Sequence, residues 1–348
     1  MQQSEKDYKR IVIKIGASIL FAQEAQAEIA RQVLSLIRSG KEIILVSSGA
    51  IASGMRLMKM KSRPKELSSL QAVAAIGQNE LMNMYRNAFR KYSLKCAQVL
   101  LTREDLADRK RYLNAKNTLL TLLKLGIIPI INENDTVSTE EIKFGDNDRL
   151  SALVSSLVCA DILIILSDVD GLLDKEKMTI RCVPEINSQI KELACPTDKK
   201  TCVGGMISKI EAAKISVDSG IPCVIANGRK KNIILSVIDA PTEYGTLFLP
   251  KKGLTAKKHW IAFGTKTKGK VYVDSGAKGA LLDKKSLLSV GVTALEGNFE
   301  SGDIVSVQDL GCCEFARGKI AISSKQLERV KGKRFEKEII HRDNIVIL

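Results

Sequence analysis

The stretch IVIKIGASIL, residues 11–20, decides how the chain folds. Its first five residues are apolar and β-branched apart from Lys14, with no alternation of apolar and polar positions. A strand of this kind needs cover on both faces, as in a parallel sheet. Lys14 breaks the pattern. A buried lysine without a partner is costly, so the position predicts a strand end from which the ammonium group reaches a cleft. Gly16 and Ser18 follow at once, where the strand turns into the next element.

Five further runs share this character: EIILVS (42–47), CAQVLL (96–101), IIPIIN (127–132), DILIILS (161–167) and PCVIAN (222–227). Helical patterns lie between them, in AQAEIARQVLSLIRSG, SLQAVAAIGQNELMNMYRNAFRKY, RYLNAKNTLLTLLKLG and GGMISKIEAAKISVDSG. Gly40, Gly126 and Gly220 stand where helix C-caps are expected. Strand alternating with helix predicts a three-layer α/β domain with a mainly parallel central sheet, to about residue 250. After TLFLPKKGLTAKKH the runs become short and glycine-punctuated: HWIAFG, KGKVYVDSGA, GDIVSVQDLG, CCEFARGKIAIS and DNIVIL. That pattern predicts a small, mainly β, barrel-like domain. The expected boundaries are 1–252 for the first domain, 253–259 for a linker and 260–348 for the second.

With 348 residues, 45% of them hydrophobic, the chain can build two cores. Fifty-four basic and 39 acidic residues leave a net charge of +15, which favours anionic partners without choosing among phosphate, carboxylate, nucleic acid and a membrane surface. A charged, dispersing surface accounts for it as well. Residues 251–348 hold 19 basic and 11 acidic residues, a net of +8, so the tail is a candidate RNA-binding module or simply a solvated face. Eight cysteines without C-x-x-C spacing and only two histidines argue against a zinc knuckle. Several cysteines lie in apolar runs, Cys159 among them, and read as reduced core cysteines of a cytoplasmic protein. The polar start MQQSEKDYKR is unlike a signal peptide, and no apolar run is long enough to span a bilayer.

Neither G-x-x-x-x-G-K-[ST] nor G-x-G occurs. Three glycine sites remain: KIGAS after the first strand, VSSGAIASGM (46–55) after the second, and GGMISK (204–209) opening a helix. In open α/β sheets, ligands bind outside the carboxyl ends of the strands, and helix N-termini favour anions. Each site alone serves a tight turn equally well. Together, two of them with a lysine (Lys14 and Lys209), they predict a phosphate-binding edge. The stretch INENDTVSTEEIKFGDNDRLSALV (131–154) gathers Asn132, Glu133, Asn134, Asp135, Asp146, Asn147 and Asp148. That exceeds what helix capping needs and suits a polar small molecule with an ammonium group. LSDVDGLLD (166–174) adds Asp168 and Asp170 at a strand end, where a capping turn is the plainer explanation.

The motifs VIKIGAS, VSSGAIASG, IIPIINENDTV, FGDNDRLSALV, LSDVDGL and GGMISKIEAA, in this order from residue 11 to about 228, resemble the amino acid kinase family. NENDTV with GDND is similar to the branch that phosphorylates the side-chain carboxylate of glutamate at the start of proline synthesis. GKVYVDSGAKGAL and FESGDIVSV resemble, more loosely, the PUA domain. The resemblance implies ATP as phosphoryl donor, with Mg2+ held mainly by the ATP phosphates and no protein metal site. It implies Lys14, Lys209, Asp148 and Asp168 as catalytic: Lys14 on the transferring phosphoryl group, Lys209 on the nucleotide phosphates, the two aspartates holding the lysines. Lys14, Gly16, Ser167, Asp168, Val203, Gly204, Gly205, Met206 and Lys209 would meet ATP. Ser48, Gly49, Asp135 and Asn147 would meet L-glutamate. A homo-oligomer and feedback inhibition by proline, near residues 133–147, are further implications. One departure stands out: Cys202-Val203 occupies the place of the family's usual Gly-Thr, so a hydroxyl is missing there. Two other readings stay open, an RNA-binding PUA protein with a vestigial kinase domain and a sister kinase acting on another amino-acid carboxylate.

Overall fold

The computed structural model describes residues 7–22, 24–137, 146–194, 205–251, 258, 260–264 and 267–348. Its contacts divide the chain near residue 253 into two compact units.

In chain order the elements up to residue 248 are β1 (Arg10–Ile15), α1 (Ala17–Leu20), α2 (Ala25–Arg38), β2 (Glu42–Ser47), α3 (Ala50–Leu57), α4 (Leu67–Arg90), β3 (Cys96–Leu101), α5 (Arg103–Ala107), α6 (Arg109–Lys124), β4 (Ile128–Glu133), α7 (Asp146–Leu157), β5 (Ile162–Ser167), β6 (Cys182–Val183), α8 (Ser188–Leu193), α9 (Met206–Asp218), β7 (Cys223–Asn227), α10 (Ile233–Asp239), α11 (Pro241–Tyr244) and β8 (Gly245–Phe248). One eight-stranded sheet joins the strands in the order β3-β4-β2-β1-β5-β7-β8-β6. Its pairings are parallel except β7 with β8. The six apolar runs read from the sequence are strands within a residue of their expected ends. The two short strands β6 and β8 had no comparable signal.

β1 lies at the centre, with Lys14 in register with Val46 of β2 and Ile165 of β5. Side chains alternate across a strand. Ile11, Ile13 and Ile15 join the core formed with α2 and α4, each contributing roughly 1.5–3 kcal/mol by burial. Val12 and Lys14 therefore face the other layer. There α7 is buried along nearly its whole described length. The hydroxyls of Ser151 and Ser155 donate back to the carbonyls of Asp148 (2.6 Å) and Ser151 (2.7 Å), so an apolar environment leaves neither unpaired. The ends of α2, α6 and α9 are closed alike: the amides of Lys41, Ile127 and Ile221 donate to carbonyls five residues back, each 3.0 Å away, around Gly40, Gly126 and Gly220 in the left-handed region.

The chain leaves β1 towards β2 on one side and returns to β5 on the other. A reversal of this kind opens a crevice at the carboxyl edge of the sheet. The turns that follow β1 and β5 meet there, where the Gly16 amide donates to the Leu166 carbonyl at 3.3 Å.

The second unit is a five-stranded, mainly antiparallel sheet in the order β10-β9-β11-β12-β13. The strands are β9 (Gly269–Val273), β10 (Val292–Glu296), β11 (Ile304–Gln308), β12 (Glu314–Lys319) and β13 (Ile345–Ile347). Its core is its own, built on Val271, Val273, Val305, Val307, Phe299 and Ile340. HWIAFG, one of the short runs read as part of the mainly β domain, contains a π-helical turn, Trp260–Gly264. A five-residue apolar run does not distinguish strand from helical turn by periodicity. The cysteines also correct expectation. Of the six described, Cys223 is buried, Cys96 and Cys182 are half-buried, and Cys159, Cys312 and Cys313 are exposed; all six are free thiols. Among the described residues no helix is long and apolar enough to cross a membrane.

Candidate active site

A cleft of about 570 Å3 opens at the carboxyl edge of the sheet. Lys14, Gly16, Ser48, Gly49, Asp135, Asn147, Asp148, Ser167, Asp168, Gly205 and Lys209 all line it. Residues expected to act together from six separate motifs thus share one wall. Val203, Gly204 and the Cys202-Val203 departure lie outside the described residues. Met206 begins α9 without reaching the wall.

At the centre is Asp148, 1% exposed. Its Oδ1 lies 2.6 Å from Lys14 Nζ, and its Oδ2 lies 3.3 Å from Lys209 Nζ. The Ser208 hydroxyl donates to the same Oδ2 at 2.8 Å. Three elements meet here because β1 presents Lys14 towards the α7 layer and α9 packs on α7. Burial would push the Asp148 carboxyl up, but Lys14, then Lys209, then hydrogen bonds from Lys14 and Ser208 outweigh it and hold the carboxyl below the usual range. For Lys14 burial wins: it pushes the ammonium down against the opposing pull of Asp148, and the Lys209 charge adds to the push. Asp168 acts on the Lys14 charge from a distance, yet it forms no ion pair with either lysine among the described residues. It accepts a 3.1 Å hydrogen bond from the Ser167 hydroxyl instead. Asp170 is not on the wall; it pairs with Lys230 at 2.6 Å on the surface.

Sheet order sorts the cleft. The β1, β5 and α9 side carries both lysines. The β4 and β2 side carries Asn132, Glu133 and Asp135 after β4, and the Ser48–Gly49 turn after β2. Asn132 is 1% exposed; its Oδ1 accepts from the Glu133 amide at 2.9 Å and its Nδ2 donates to Gln78 at 2.7 Å. Asn147 Oδ1 is buried and accepts no hydrogen bond within the described residues, so it is ready for a donor in the cleft.

Gly49 has φ +112° and the Phe21 ring stands 3.1 Å from where a Cβ would sit, so both torsion and space require glycine. It opens α3 without a side-chain cap, and Ala50, Ile51 and Ala52 of the first turn line the cleft. Their amides suit an anion. Gly16 differs. Its backbone is extended, φ −70° and ψ 150°, and a Cβ would make only ordinary contacts from 3.4 Å. Nothing among the described residues demands glycine there; what a side chain would take is room above Lys14.

Sequence reading missed Ser18, Met55, Arg63 and Ser208. Arg63, in the loop SRPKEL, brings a third cation to the wall and gave no periodic or motif signal. Ser208 stands inside the quoted GGMISK, where only the glycines and the lysine drew a role.

Comparison with known proteins agrees in extent with this geometry. The profile described as Amino acid kinase family matches residues 9–227, and that of the PUA domain matches residues 269–342. The glutamate 5-kinase of Thermoanaerobacter sp. (strain X514) is 44% identical over 364 aligned residues, spanning 97% of this chain and 98% of that protein. That of Caldanaerobacter subterraneus subsp. tengcongensis is 46% identical with the same spans, and that of Dictyoglomus thermophilum is 44% identical over 98% of both. Among solved structures, an N-acetylglutamate synthase from Neisseria gonorrhoeae, complexed with coenzyme A and N-acetyl-glutamate, superposes with a TM-score of 0.54 at 16% identity, covering 70% of this chain and 60% of that one. The last likeness speaks for the fold alone.

Proposed function

The chain belongs to the amino acid kinase family, and we infer from its cleft how it transfers the γ-phosphoryl group of ATP to the side-chain carboxylate of L-glutamate, the glutamate 5-kinase reaction that begins proline synthesis. The observation that carries this is Asp148 set between Lys14 and Lys209 at the switch point of the sheet. The acceptor carboxylate is ionised at neutral pH and needs no general base. The difficulty is bringing two anions together and stabilising charge on the transferring group and on ADP. Catalysis of this kind is positioning plus fixed positive charge.

The lysine-bearing side suits the polyphosphate, with the backbone at Gly205 and the start of α9 beside it. Lys14 serves the transferring phosphoryl group, and Lys209 the nucleotide phosphates and leaving oxygen. Gly16 leaves room for phosphate. The acid-rich side suits an amino acid: Asp135 and Asn147 Oδ1 face the ammonium group, and Ser48, Gly49 and the first turn of α3 face carboxylate oxygen. The Asp148 oxygens are taken by Lys14, Lys209 and Ser208. Family resemblance supports Mg2+ held mainly by the ATP phosphates, where it would neutralise developing charge.

On the same reading, residues 1–252 are the catalytic domain, 253–259 the linker and 260–348 the PUA domain; residues 251–348, which include linker and domain, carry a net +8 that suits a polyanion such as RNA. The free thiols support a cytoplasmic setting. Family resemblance, rather than any surface of this chain, supports proline as feedback inhibitor and a homo-oligomer.

The test incubates the full chain with ATP, Mg2+ and either L-glutamate, N-acetylglutamate or L-aspartate, trapping acyl phosphate with hydroxylamine. Hydroxamate is expected with L-glutamate. Preference for another acid would make this a sister kinase. No hydroxamate with any of the three would leave the RNA-binding reading ahead.

A further inference from the structure

Asp148 is held by a third group that charge alone does not explain. Among the described residues the Ser208 hydroxyl has Asp148 Oδ2 at 2.8 Å and the Gly205 carbonyl at 3.1 Å as acceptors in reach. It has one hydrogen to give. A serine in the first turn of a helix ordinarily bonds locally, yet here the shorter contact goes to a carboxylate on α7, 60 residues away in sequence. Lys209 Nζ has the same two acceptors, Asp148 Oδ2 and the Gly205 carbonyl, both at 3.3 Å. Lys14 is the tighter partner of Asp148, at 2.6 Å.

We propose that Ser208 is a positioning residue: it keeps Asp148 locked on Lys14 when Lys209 lets go of the carboxylate to meet the nucleotide phosphates. The idea rests on the phosphoryl-transfer reading of the cleft. An arriving polyphosphate competes with Asp148 for both ammonium groups, and the longer of the two contacts, that of Lys209, gives way first. Asp148 Oδ2 would then be a buried carboxylate oxygen without a donor. It would turn to find one and draw Oδ1 away from Lys14. The Ser208 hydroxyl, already the shorter bond to Oδ2, removes that incentive. Lys14 thus stays aimed at the reacting phosphoryl group throughout the exchange. Among the described residues, Lys14 from β1 and Lys209 and Ser208 from α9 act on Asp148, the Cys223 thiol from β7 feels its charge, and Asp168 after β5 acts on the Lys14 charge.

Because the hydroxyl acts on a charge arrangement completed only with nucleotide in place, its loss should appear in kcat rather than in KM. In the hydroxamate assay, S208A is expected to lower kcat about tenfold, the scale of one hydrogen bond to a charged group, leaving KM for glutamate and ATP within about twofold. S208C, similar in size but a weak donor, should behave like S208A, and S208T should recover most of the loss. Melting temperature measured alongside separates mispositioning from misfolding, and S208C stands in if S208A does not fold. Wild-type kcat in S208A and S208C, S208T as slow as S208A, or an effect confined to KM would each overturn the proposal. A wild-type chain that forms no hydroxamate would instead sink the reading of the cleft itself.

Discussion

Lys14 and Asp148 are nearly out of water, 6% and 1% exposed, and neither is tolerable there alone. Removing one partner of a buried pair strands the other, typically at about 3–5 kcal/mol. Lys14→Ala and Lys209→Ala should each lose at least ~10²-fold in kcat, by analogy with loss of one oxyanion donor; near-normal kcat in either purified variant would contradict the assignment. The pH dependence follows from the signs. Lys14 has a folded-state pKa below its unfolded one, because burial disfavours its charge. Its charge is therefore lost, as pH rises, before that of an ordinary lysine at about 10.4. The alkaline limb of kcat should fall below the ordinary lysine range, and a limb at or above it would count against Lys14 as the essential cation. The Asp148 carboxyl is also held down, here by the lysines, so it stays ionised as pH falls below the usual carboxylate range. Lys14 was legible in sequence because a charge inside an apolar run is a contradiction that asks for a reason. Ser208 and Arg63 were not, since a hydroxyl in a helix and a cation in a loop contradict nothing.

Among the elements, the α3–α4 contact sets the shape of the substrate end. A Cβ on Gly77 of α4 would lie 1.8 Å from the Ala50 carbonyl, and one on Gly54 of α3 would lie 2.0 Å from the Val73 carbonyl. The two helices thus touch backbone to backbone. Gly77→Ala must push α3 outward, and α3 begins at the cleft wall. Overpacking of this order costs about 1–3 kcal/mol, roughly 2–4 °C in melting temperature per kcal/mol for a unit of this size. The glutamate KM should rise with it, while the ATP KM changes less. An unchanged melting temperature would mean that the helices separate without strain. Nothing in VSSGAIASGM or AAIGQN announced this contact, because each glycine is harmless in its own helix and the reason for it lies in the other. The helix ends at Gly40, Gly126 and Gly220 were legible, since a left-handed closing residue is a local requirement.

At the scale of the whole molecule, every described residue on the cleft wall lies between Lys14 and Lys209, and the second unit has a separate core of its own. A fragment ending at Lys251 should therefore still form hydroxamate from glutamate and ATP. A folded but inactive fragment would show that the second unit contributes to catalysis. The tail's aromatics fit a packing role: Trp260 and Phe299 are buried, and Phe315 and Phe335 pack against the core. Among the described residues the half-buried Tyr272 adds one more ring, and the net charge of +8 over residues 251–348 remains the tail's main argument for a polyanionic partner.

Sequence by itself determined the parallel core, the helix ends, the glycines and lysines that line one sheet edge and the family, because hydrophobic period, capping glycines and motif order are all local properties of the chain. Only the tertiary structure decided which acid meets which base. Asp148 and Lys209 are 61 residues apart in sequence, and nothing in their spacing says that one carboxylate serves two lysines while Asp168, just past the end of β5, pairs with neither among the described residues. That choice comes from sheet order. With β1 between β2 and β5, Lys14 faces the layer where α9 packs on α7, and Asp148 is the carboxylate within reach of both ammonium groups.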